Sequence, residues 1–388
     1  MMKRRFPAKA LSLGSLLLAL IPAASLAEHA TIPVAPLATY GKLDPAGVTV
    51  SGISSGAFFA HQFHVAYSGL VKGAGMVAGG LYACAEQVDD VVPPHPFTGI
   101  PKSVAAALAV CTRFARTSFA LSFWRFPDKP DAGRSREAAV AAQAAGKIDD
   151  PANLAASRVW LFHGEKDAGV PRATIAEMAS FYRMMGVPAG NIAEEEGPDA
   201  EHGMPVKAQP PAPTGPHCAL HDPAFLVACD YGAAELLLRH LYPGATALAG
   251  AAAGRIVGFD QTEFFDGEPR TSLNAVGYLY VPAACENGAP AAVACRLHVA
   301  FHGCLQYVDA IHDRFFRDAG YNAFADANHV VVLYPQATSW RRLTDPSGLT
   351  ANPDGCWDWW GYAGDDAYFT RDGKQMRAVR AMIARMLP

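Results

Sequence analysis

The sequence predicts an α/β fold, in which a mostly parallel central sheet is covered by helices on both faces. Of the 388 residues, 51% are hydrophobic and only 18% are charged, which is enough to bury a large core. Short apolar runs of strand length recur along the chain, and longer helix-like segments lie between them. Alternation of buried strands with helices is typical of parallel sheets.

Six apolar runs are the predicted strands. In chain order they are VTVSG from Val48, GAGMVAGG from Gly73, RVWLFHG from Arg158, AVGYLYVP from Ala275, RLHVAFHG from Arg296 and VVVLYPQ from Val330. The clearest helical patterns are GAFFAHQFHVAYS from Gly56, PRATIAEMASFYRMMG from Pro171 and KQMRAVRAMIARML near the C-terminal end. The first helix follows the first strand at once, so the chain is expected to turn sharply between them.

Two long segments are predicted to be irregular. Residues 197–223 are rich in proline and polar residues, and residues 338–362 mix turn formers with tryptophan. Loops of this length are usually functional or disordered. The first segment could be an interdomain linker, but each flanking half lacks a complete set of strands. We therefore expect residues 28–388 to form a single domain.

Residues 1–27 have the pattern of a secretory signal peptide. Lys3, Arg4 and Arg5 precede a mostly apolar run at 11–21, and a small-residue pattern ending at Ala27 follows it. A membrane anchor is the alternative, but the run is shorter than the roughly 18 to 20 residues that cross a bilayer. We expect cleavage near Ala27, a secreted or periplasmic protein, and no membrane span in the mature chain.

The charge of the mature chain argues against one class of partner. Four of the 32 lysines and arginines lie in the predicted signal peptide, whereas the chain has 36 acidic residues. The mature protein is therefore mildly acidic, so we expect neither nucleic acid nor an anionic membrane as a partner.

Eight cysteines in an exported chain are expected to form disulfides, because the compartment beyond the inner membrane is oxidising. The sequence alone does not determine their connectivity. Short spacing along the chain suggests two local pairs, Cys218 with Cys229 and Cys285 with Cys295. The pairs that remain are then Cys84 with Cys111 and Cys304 with Cys356. Because no pair has the Cys-x-x-Cys spacing of a zinc or redox site, we expect no metal.

The turn after the first strand contains a Gly-x-Ser-x-Gly pattern, formed by Gly52, Ser54 and Gly56. One interpretation is a tight turn between packed elements. The other is a nucleophile elbow, in which the glycines make room for a strained turn that lifts the serine hydroxyl above the sheet. The strand before the pattern and the helix after it favour the nucleophile.

A serine nucleophile needs a histidine that takes its proton and an acid that orients the histidine. In folds with this elbow the chain order is serine, acid, histidine. Asp167 follows the strand that begins at Arg158, and His202 lies downstream in a loop flanked by glycine and proline. These two residues are the predicted acid and base.

Alternative roles exist for these positions. Asp167 could instead cap the helix that follows it. His217 and His221 lie in the same long loop and are the rivals of His202 as base. His61 and His64 lie on the helix after the elbow and are expected to be structural.

The strand from Arg296 ends in His302, Gly303 and Cys304. Ester hydrolysis builds negative charge on the carbonyl oxygen, and two backbone N–H groups commonly stabilise it. One comes from the residue after the nucleophile and one from a His-Gly loop. The predicted oxyanion donors are therefore the N–H groups of Ser55 and Cys304. The alternative is a buried strand end with a free thiol.

The order of these pieces indicates a circular permutation. In ordinary α/β-hydrolases the His-Gly loop precedes the nucleophile, whereas here Cys304 follows Ser54. Reading from the His-Gly loop to the C-terminus and then from the N-terminus restores the usual order. The motifs SGISSGA, FHGEKD, EHGMP, AFHGCLQ, VVLYPQA and NPDGCWDWWGY together resemble the circularly permuted polyhydroxybutyrate depolymerases, secreted single-domain α/β-hydrolases of bacteria and fungi.

The resemblance implies a nucleophile at Ser54, an acid at Asp167, a base at His202 and oxyanion donors at Ser55 and Cys304. It also implies an esterase that cleaves poly(3-hydroxybutyrate) or its oligomers through an acyl-enzyme and without a cofactor. Feruloyl and acetylxylan esterases share similar HGC, YPQ and CW-x-W motifs, so a carboxylesterase of that type is an alternative. A non-catalytic polymer-binding protein is a further one.

Aromatic residues gather in the segment after Cys356. Large aromatic side chains are more often core than ligand site, but three tryptophans in a turn-rich segment are costly to bury completely. An apolar groove there would suit the methyl and methylene groups of a hydroxybutyrate chain. The chain ends soon after its terminal helix, so we expect amorphous polymer or soluble oligomers as substrate, or attachment to polymer through the catalytic domain itself. The candidate substrate-binding residues are Trp357, Trp359, Trp360, Tyr362 and His302.

Overall fold

The structure is a computed structural model that describes residues 32–87, 102–112, 129–207, 218, 222–246, 252–289, 294–341 and 351–388. The predicted signal peptide at 1–27 and the rival bases His217 and His221 lie outside these residues. In the described part the strands are β1 (Val34–Ala35), β2 (Leu43–Ile53), β3 (Gly73–Val77), β4 (Arg158–His163), β5 (Ile192–Glu196), β6 (Met204–Val206), β7 (Leu226–Ala228), β8 (Arg255–Asp260), β9 (Val276–Val281), β10 (Cys295–Phe301) and β11 (Val330–Tyr334).

The α-helices fill most of the connections between the strands. Within the same residues they are α1 (Ser55–Ala66), α2 (Lys102–Ala106), α3 (Ala132–Ala144), α4 (Arg172–Met184), α5 (Ala233–Leu241), α6 (Val308–Ile311), α7 (Arg314–Asp318), α8 (Tyr321–Ala327) and α9 (Lys374–Met386). A π-helical segment, Ala107–Cys111, continues α2. None of the helices in the described residues is both long and apolar enough to cross a membrane.

Nine strands form one sheet in the order β1-β8-β9-β11-β10-β2-β3-β4-β5, and β6 pairs with β7 separately. In the large sheet β9 runs antiparallel to its neighbours β8 and β11, and the remaining pairs are parallel. The mostly parallel α/β fold predicted from the sequence is thus confirmed. All six predicted strands are present, whereas β1, β5, β6, β7 and β8 were not predicted. Strands β1, β6 and β7 are only two or three residues long, and β5 and β8 contain charged residues.

Apart from β1, which pairs with β8 at one edge, the two halves of the sheet come from different ends of the described chain. Strands β8 to β11 form one half and β2 to β5 the other, and they meet where β10 pairs in parallel with β2. Residues near the two ends of the described chain are in contact, because the Tyr40 N–H donates to the Met386 carbonyl oxygen (2.8 Å). The Thr39 hydroxyl donates to the Arg385 carbonyl oxygen (2.8 Å). These contacts and the divided halves are consistent with the circular permutation expected from the motif order.

The alternation of β2 separates the two faces of the sheet. Val48 and Val50 belong to the main hydrophobic core, to which buried residues of α1, α4 and α9 also contribute. Thr49 and Ser51 point the other way and share hydrogen bonds with His298 (2.7 and 2.8 Å), and Ser51 also bonds the Tyr321 hydroxyl at the start of α8 (2.8 Å). Helices α5 and α8 pack on that face, so both faces are covered as predicted.

Helix α4 shows how a helix covers the sheet. Its buried residues Ile175, Met178, Ala179 and Tyr182 recur at three- and four-residue spacing, which places them on one side of the helix. The same spacing occurs in α9. Helix α1 is buried along its whole length, since every one of its residues is shielded from solvent.

All eight cysteines form disulfides. The pairs are those suggested by the spacing: Cys84–Cys111, Cys218–Cys229, Cys285–Cys295 and Cys304–Cys356. The last bond joins the loop after β10, which contains the predicted oxyanion donor Cys304, to the aromatic segment, defined as residues 356–362.

Candidate active site

Ser54 lies in the sharp turn between β2 and α1. Its backbone has φ 53° and ψ −123°, a conformation that residues other than glycine seldom adopt. A Cβ on Gly52 would come within 2.3 Å of the Gly56 backbone, and a Cβ on Gly56 would come within 2.4 Å of the carbonyl oxygens of Phe301 and His302. Only hydrogen fits at either position, so both glycines are required by close backbone approach.

A chain of hydrogen bonds links Ser54 to two distant residues. The Ser54 Oγ–H donates to His202 Nε2 (2.8 Å), and His202 Nδ1–H donates to Asp167 Oδ2 (2.9 Å). Ser54 follows β2, Asp167 follows β4, and His202 lies in the loop before β6. The structure therefore brings the predicted serine, histidine and acid together in the expected order.

Asp167 is held as an ionised, correctly oriented partner of His202. Its side chain is 1% exposed, and its Oδ1 accepts the N–H groups of Gly169 (2.8 Å) and Val170 (3.1 Å). Burial alone would raise the pKa of this carboxyl. Hydrogen bonding and charge from His202 and the two backbone donors outweigh burial and hold the pKa of Asp167 below its ordinary value.

The loop after β10 packs directly against the turn that contains Ser54. Among the described residues, the N–H groups of Ser55 and Cys304 have no protein acceptor. The Ser55 hydroxyl accepts the Trp357 N–H (3.3 Å), which ties the start of α1 to the aromatic segment. Both predicted oxyanion donors are thus available beside Ser54.

His302 orients the peptide group that carries the Cys304 N–H. Its Nδ1–H donates to the Gly303 carbonyl oxygen (2.7 Å), and its Nε2 accepts the Ala337 N–H (3.1 Å). Because a peptide unit is planar, a fixed Gly303 carbonyl also fixes the direction of the Cys304 N–H. Burial lowers the pKa of His302 to about 4, so the ring is neutral and keeps one donor and one acceptor.

A cavity of about 870 Å³ opens above Ser54. Most of its wall is apolar, and it is formed by residues from several elements, among them Phe58, Val104, Leu305, Trp359 and Trp360. Trp359 stacks on Phe58 with ring centroids 4.0 Å apart. Within the described residues, no group of three or more His, Cys, Asp or Glu side chains is placed to hold a metal ion. The arrangement suits nucleophilic attack on an apolar ester.

Comparison with known proteins agrees with this geometry. The chain is 35% identical over 349 residues, 89% of its length, to a poly(3-hydroxybutyrate) depolymerase of Delftia acidovorans. It is 28% identical over 358 residues to a polyhydroxybutyrate depolymerase of Talaromyces funiculosus. The chain is a homologue of polyhydroxybutyrate depolymerases. It spans 60% of the length of the Delftia protein and 91% of the Talaromyces protein. No protein-family model matches the chain.

Two solved depolymerase structures share the fold. Each has a TM-score of 0.73 and covers 91% of this chain and 99% of its own. One is a PHB depolymerase from Penicillium funiculosum, which is 26% identical to this chain. The other, 25% identical, is a serine-to-alanine variant of a PHB depolymerase complexed with an R3HB trimer. The resemblance to depolymerases that the motifs predicted is confirmed.

Three of the five predicted substrate-binding residues do not face the cavity. Trp357 is 0% exposed and packs between Phe59 and Phe301, with ring centroids at 4.8 and 5.0 Å. The Tyr362 hydroxyl donates to the Cys356 carbonyl oxygen (2.8 Å) inside the protein. His302 is fully buried with both nitrogens bonded. In this structure the loop turns these three side chains inward, and the cavity is lined by Trp359 and Trp360 instead.

Trp359 and Trp360 are the predicted aromatic residues that line the cavity. Phe58, Val104 and Leu305 also line the cavity and were not predicted. Phe58 lies one helical turn after Ser55, so the helical period after the turn could have identified it. Val104 comes from a distant segment and carries no sequence signal that relates it to the site.

His61 and His64 on α1 are structural, as expected. His61 Nδ1–H donates to the Gly80 carbonyl oxygen (2.9 Å), and His64 bonds the hydroxyls of Tyr182 and Ser157 (both 2.9 Å). Burial lowers the pKa of His61 to about 4 and that of His64 to about 3. Neither ring reaches the cavity.

Proposed function

We propose that this protein is a secreted serine esterase that hydrolyses poly(3-hydroxybutyrate) or its oligomers through an acyl-enzyme on Ser54. The observation that carries the proposal is the hydrogen-bonded chain from Ser54 through His202 to Asp167, beside two available N–H groups at the floor of an apolar cavity. Homology to depolymerases from two organisms supports the substrate class.

In the acylation step, Ser54 Oγ attacks the ester carbonyl carbon and its proton passes to His202 Nε2. The resulting imidazolium is stabilised by the Asp167 carboxylate, which accepts Nδ1–H. Negative charge on the carbonyl oxygen is stabilised by the N–H groups of Ser55 and Cys304. When the tetrahedral intermediate collapses, the leaving hydroxyl takes its proton from His202 and the 3-hydroxyacyl group stays on Ser54.

In the deacylation step, a water molecule gives its proton to His202 Nε2 and attacks the acyl carbonyl carbon. The same two N–H groups stabilise the second oxyanion. Collapse returns the proton to Ser54 Oγ and releases the hydroxyacid. Each group is thus used twice, and no cofactor takes part in either step.

The cavity wall supports a polyester substrate. A hydroxybutyrate unit presents a methyl and a methylene group between ester groups, and rings such as those of Phe58, Trp359 and Trp360 bury apolar groups of this kind. Four disulfides support export, because such bonds persist in oxidising compartments. The predicted signal peptide would direct it.

Replacement of the serine tests the proposal. Ser54→Ala should lower kcat by roughly 10⁵- to 10⁶-fold while the fold stays intact, because only the attacking oxygen is lost. Hydroxybutyrate trimer, amorphous granules, crystalline film and methyl ferulate should be compared as substrates, with circular dichroism as the check on folding. The wild type should be labelled by a fluorophosphonate and the variant should not.

Two outcomes would contradict the proposal. Normal turnover by Ser54→Ala would remove Ser54 from the chemistry. Faster turnover of methyl ferulate than of the trimer and the granules would favour a carboxylesterase acting on plant-wall esters.

A further inference from the structure

Gln306 is a buried polar residue beside the loop that carries the Cys304 N–H. It is 1% exposed, and its Oε1 accepts the Gly303 N–H (2.8 Å). The Gln306 backbone N–H also donates to the Gly303 carbonyl oxygen (3.3 Å). A Cβ on Gly303 would lie 3.4 Å from the Cβ of Ser54, so the peptide that Gln306 holds lies against the nucleophile.

The other end of the Gln306 amide reaches a different loop. Its Nε2 donates to the carbonyl oxygens of Ala224 (2.8 Å) and Phe225 (3.2 Å). The Phe225 carbonyl also accepts the Met204 N–H (2.7 Å), two residues after His202. One carbonyl oxygen therefore connects Gln306 to the loop that contains His202.

We propose that Gln306 is a positioning residue that holds the Cys304 donor and the His202 imidazole at their working separation around Ser54. The proposal rests on the proposed esterase function. Gln306 touches none of the reacting atoms, but its amide bridges the loop after β10 and the segment at residues 224–225, and this segment is hydrogen-bonded to the chain after His202. The three groups come from separate parts of the chain, so their alignment depends on such cross-links.

The expected consequence is a defect in the chemical step. The oxyanion forms only after attack has begun, so a displaced donor raises the barrier without weakening ground-state binding. A displacement of about 1 Å at a catalytic group can cost roughly 100-fold in rate. Loss of the bridge should therefore lower kcat and leave KM nearly unchanged.

Two variants and a matched control test this role. Gln306→Met keeps the length of the side chain and removes all three hydrogen bonds, whereas Gln306→Glu keeps the acceptor and removes the two donated bonds. Gln261 has the same bonding pattern elsewhere, because its amide donates to the carbonyl oxygens of Asn274 and Gln336 and accepts the Gln336 N–H. The corresponding controls are Gln261→Met and Gln261→Glu.

With p-nitrophenyl butyrate as a soluble substrate, both Gln306 variants should lose roughly 10- to 100-fold in kcat with KM within about 2-fold. The Gln261 variants should keep wild-type kcat, even where thermal unfolding shows a similar loss of stability. An unchanged kcat in both Gln306 variants, or an equal loss in the Gln261 variants, would overturn the role of Gln306.

The same experiment separates this inference from the proposed function. Wild-type turnover that disappears in Ser54→Ala supports the esterase independently of Gln306. Wild-type kcat in the Gln306 variants would then overturn the positioning role alone. Absence of turnover in the wild type would overturn both.

Discussion

The turn around Ser54 and the aromatic segment at 356–362 meet at the same site, but different forces position them. The turn is positioned by backbone contacts, since a Cβ on Gly52 or Gly56 would overlap neighbouring main-chain atoms. The aromatic segment is irregular, and the direction of each side chain is determined by its packing against residues of other elements. Trp357 enters the core against Phe301, whereas Trp360 lines the cavity.

This difference predicts how each region tolerates change. A position determined by main-chain packing has no alternative conformation, so a single added carbon should disturb both folding and chemistry. A position determined by side-chain packing should respond according to what the side chain touches. Substitutions in the aromatic segment should therefore separate effects on stability from effects on binding.

The largest effect is expected from Gly56→Ala. The new Cβ would lie 2.4 Å from the Phe301 and His302 carbonyl oxygens, so α1 and β10 must separate and the Cys304 donor must move. We expect turnover to be abolished and stability to fall by roughly 3 kcal/mol, the upper end for overpacking. Gly190→Ala is the matched control, because nothing lies within 4 Å of its added Cβ. Near-normal turnover by Gly56→Ala would show that the turn is adaptable.

Asp167→Asn leaves the turn unchanged and alters its distant partner. The backbone donors of Gly169 and Val170 would hold the amide oxygen at the Oδ1 position, so the amide NH₂ would face His202 Nδ1. Nε2 would then carry the proton and fail to accept one from Ser54. We expect kcat to fall by roughly 10⁴-fold with little change in thermal unfolding. A loss below about 10-fold would show that the turn works without an oriented histidine.

Trp357→Ala and Trp360→Ala should separate the two kinds of aromatic position. Trp357 is buried against Phe59 and Phe301, so its removal should cost roughly 3 to 5 kcal/mol of unfolding free energy. Trp360 lines the cavity, so its removal should raise KM for hydroxybutyrate trimer by roughly 3- to 10-fold. Denaturant unfolding and steady-state kinetics measure the two effects. The reverse pattern would contradict this division.

The smallest effect on turnover is expected at Asp358, where the change concerns the pH dependence of stability. Asp358 lies in the aromatic segment, and burial raises its pKa to about 7, although the N–H groups of Gly361, Ala363 and Tyr362 counteract burial. The pKa of Asp358 in the folded protein exceeds the ordinary value of 3.8. The stability contributed by Asp358 is therefore fully present below pH 3.8 and is lost as the pH rises from there to about 7.

Asp358→Asn should therefore gain stability relative to the wild type as pH rises from about 4 to 7. Urea unfolding of both proteins across this range measures the difference, and the subtraction removes contributions from groups that both proteins share. Asp167, whose pKa is lowered, contributes with the opposite sign and cancels in this subtraction. A constant difference between the two proteins would show that Asp358 does not titrate in this range.

The strands that could be predicted from the sequence are those with a strong local signal. Strands β2, β3, β4, β9, β10 and β11 were predicted because their apolar runs are continuous. Strand β5 was missed, since its sequence IAEEE lies at the sheet edge and is largely polar. Strand β8 was missed because RIVGFD mixes charged and apolar residues. Strand β5 lies at the edge of the sheet and β8 lies next to the other edge, and neither has the continuous apolar run of the central strands.

Residues restricted by chemistry and backbone geometry could be identified from the amino-acid sequence. These are the strained serine between two glycines, the acid and histidine in chain order, and the cysteines that can pair. The folded chain was needed to show which aromatic side chains reach the cavity and that Gln306 bridges two loops. A tight turn is a local property of the backbone, whereas the direction of a side chain in an irregular loop depends on contacts with distant segments.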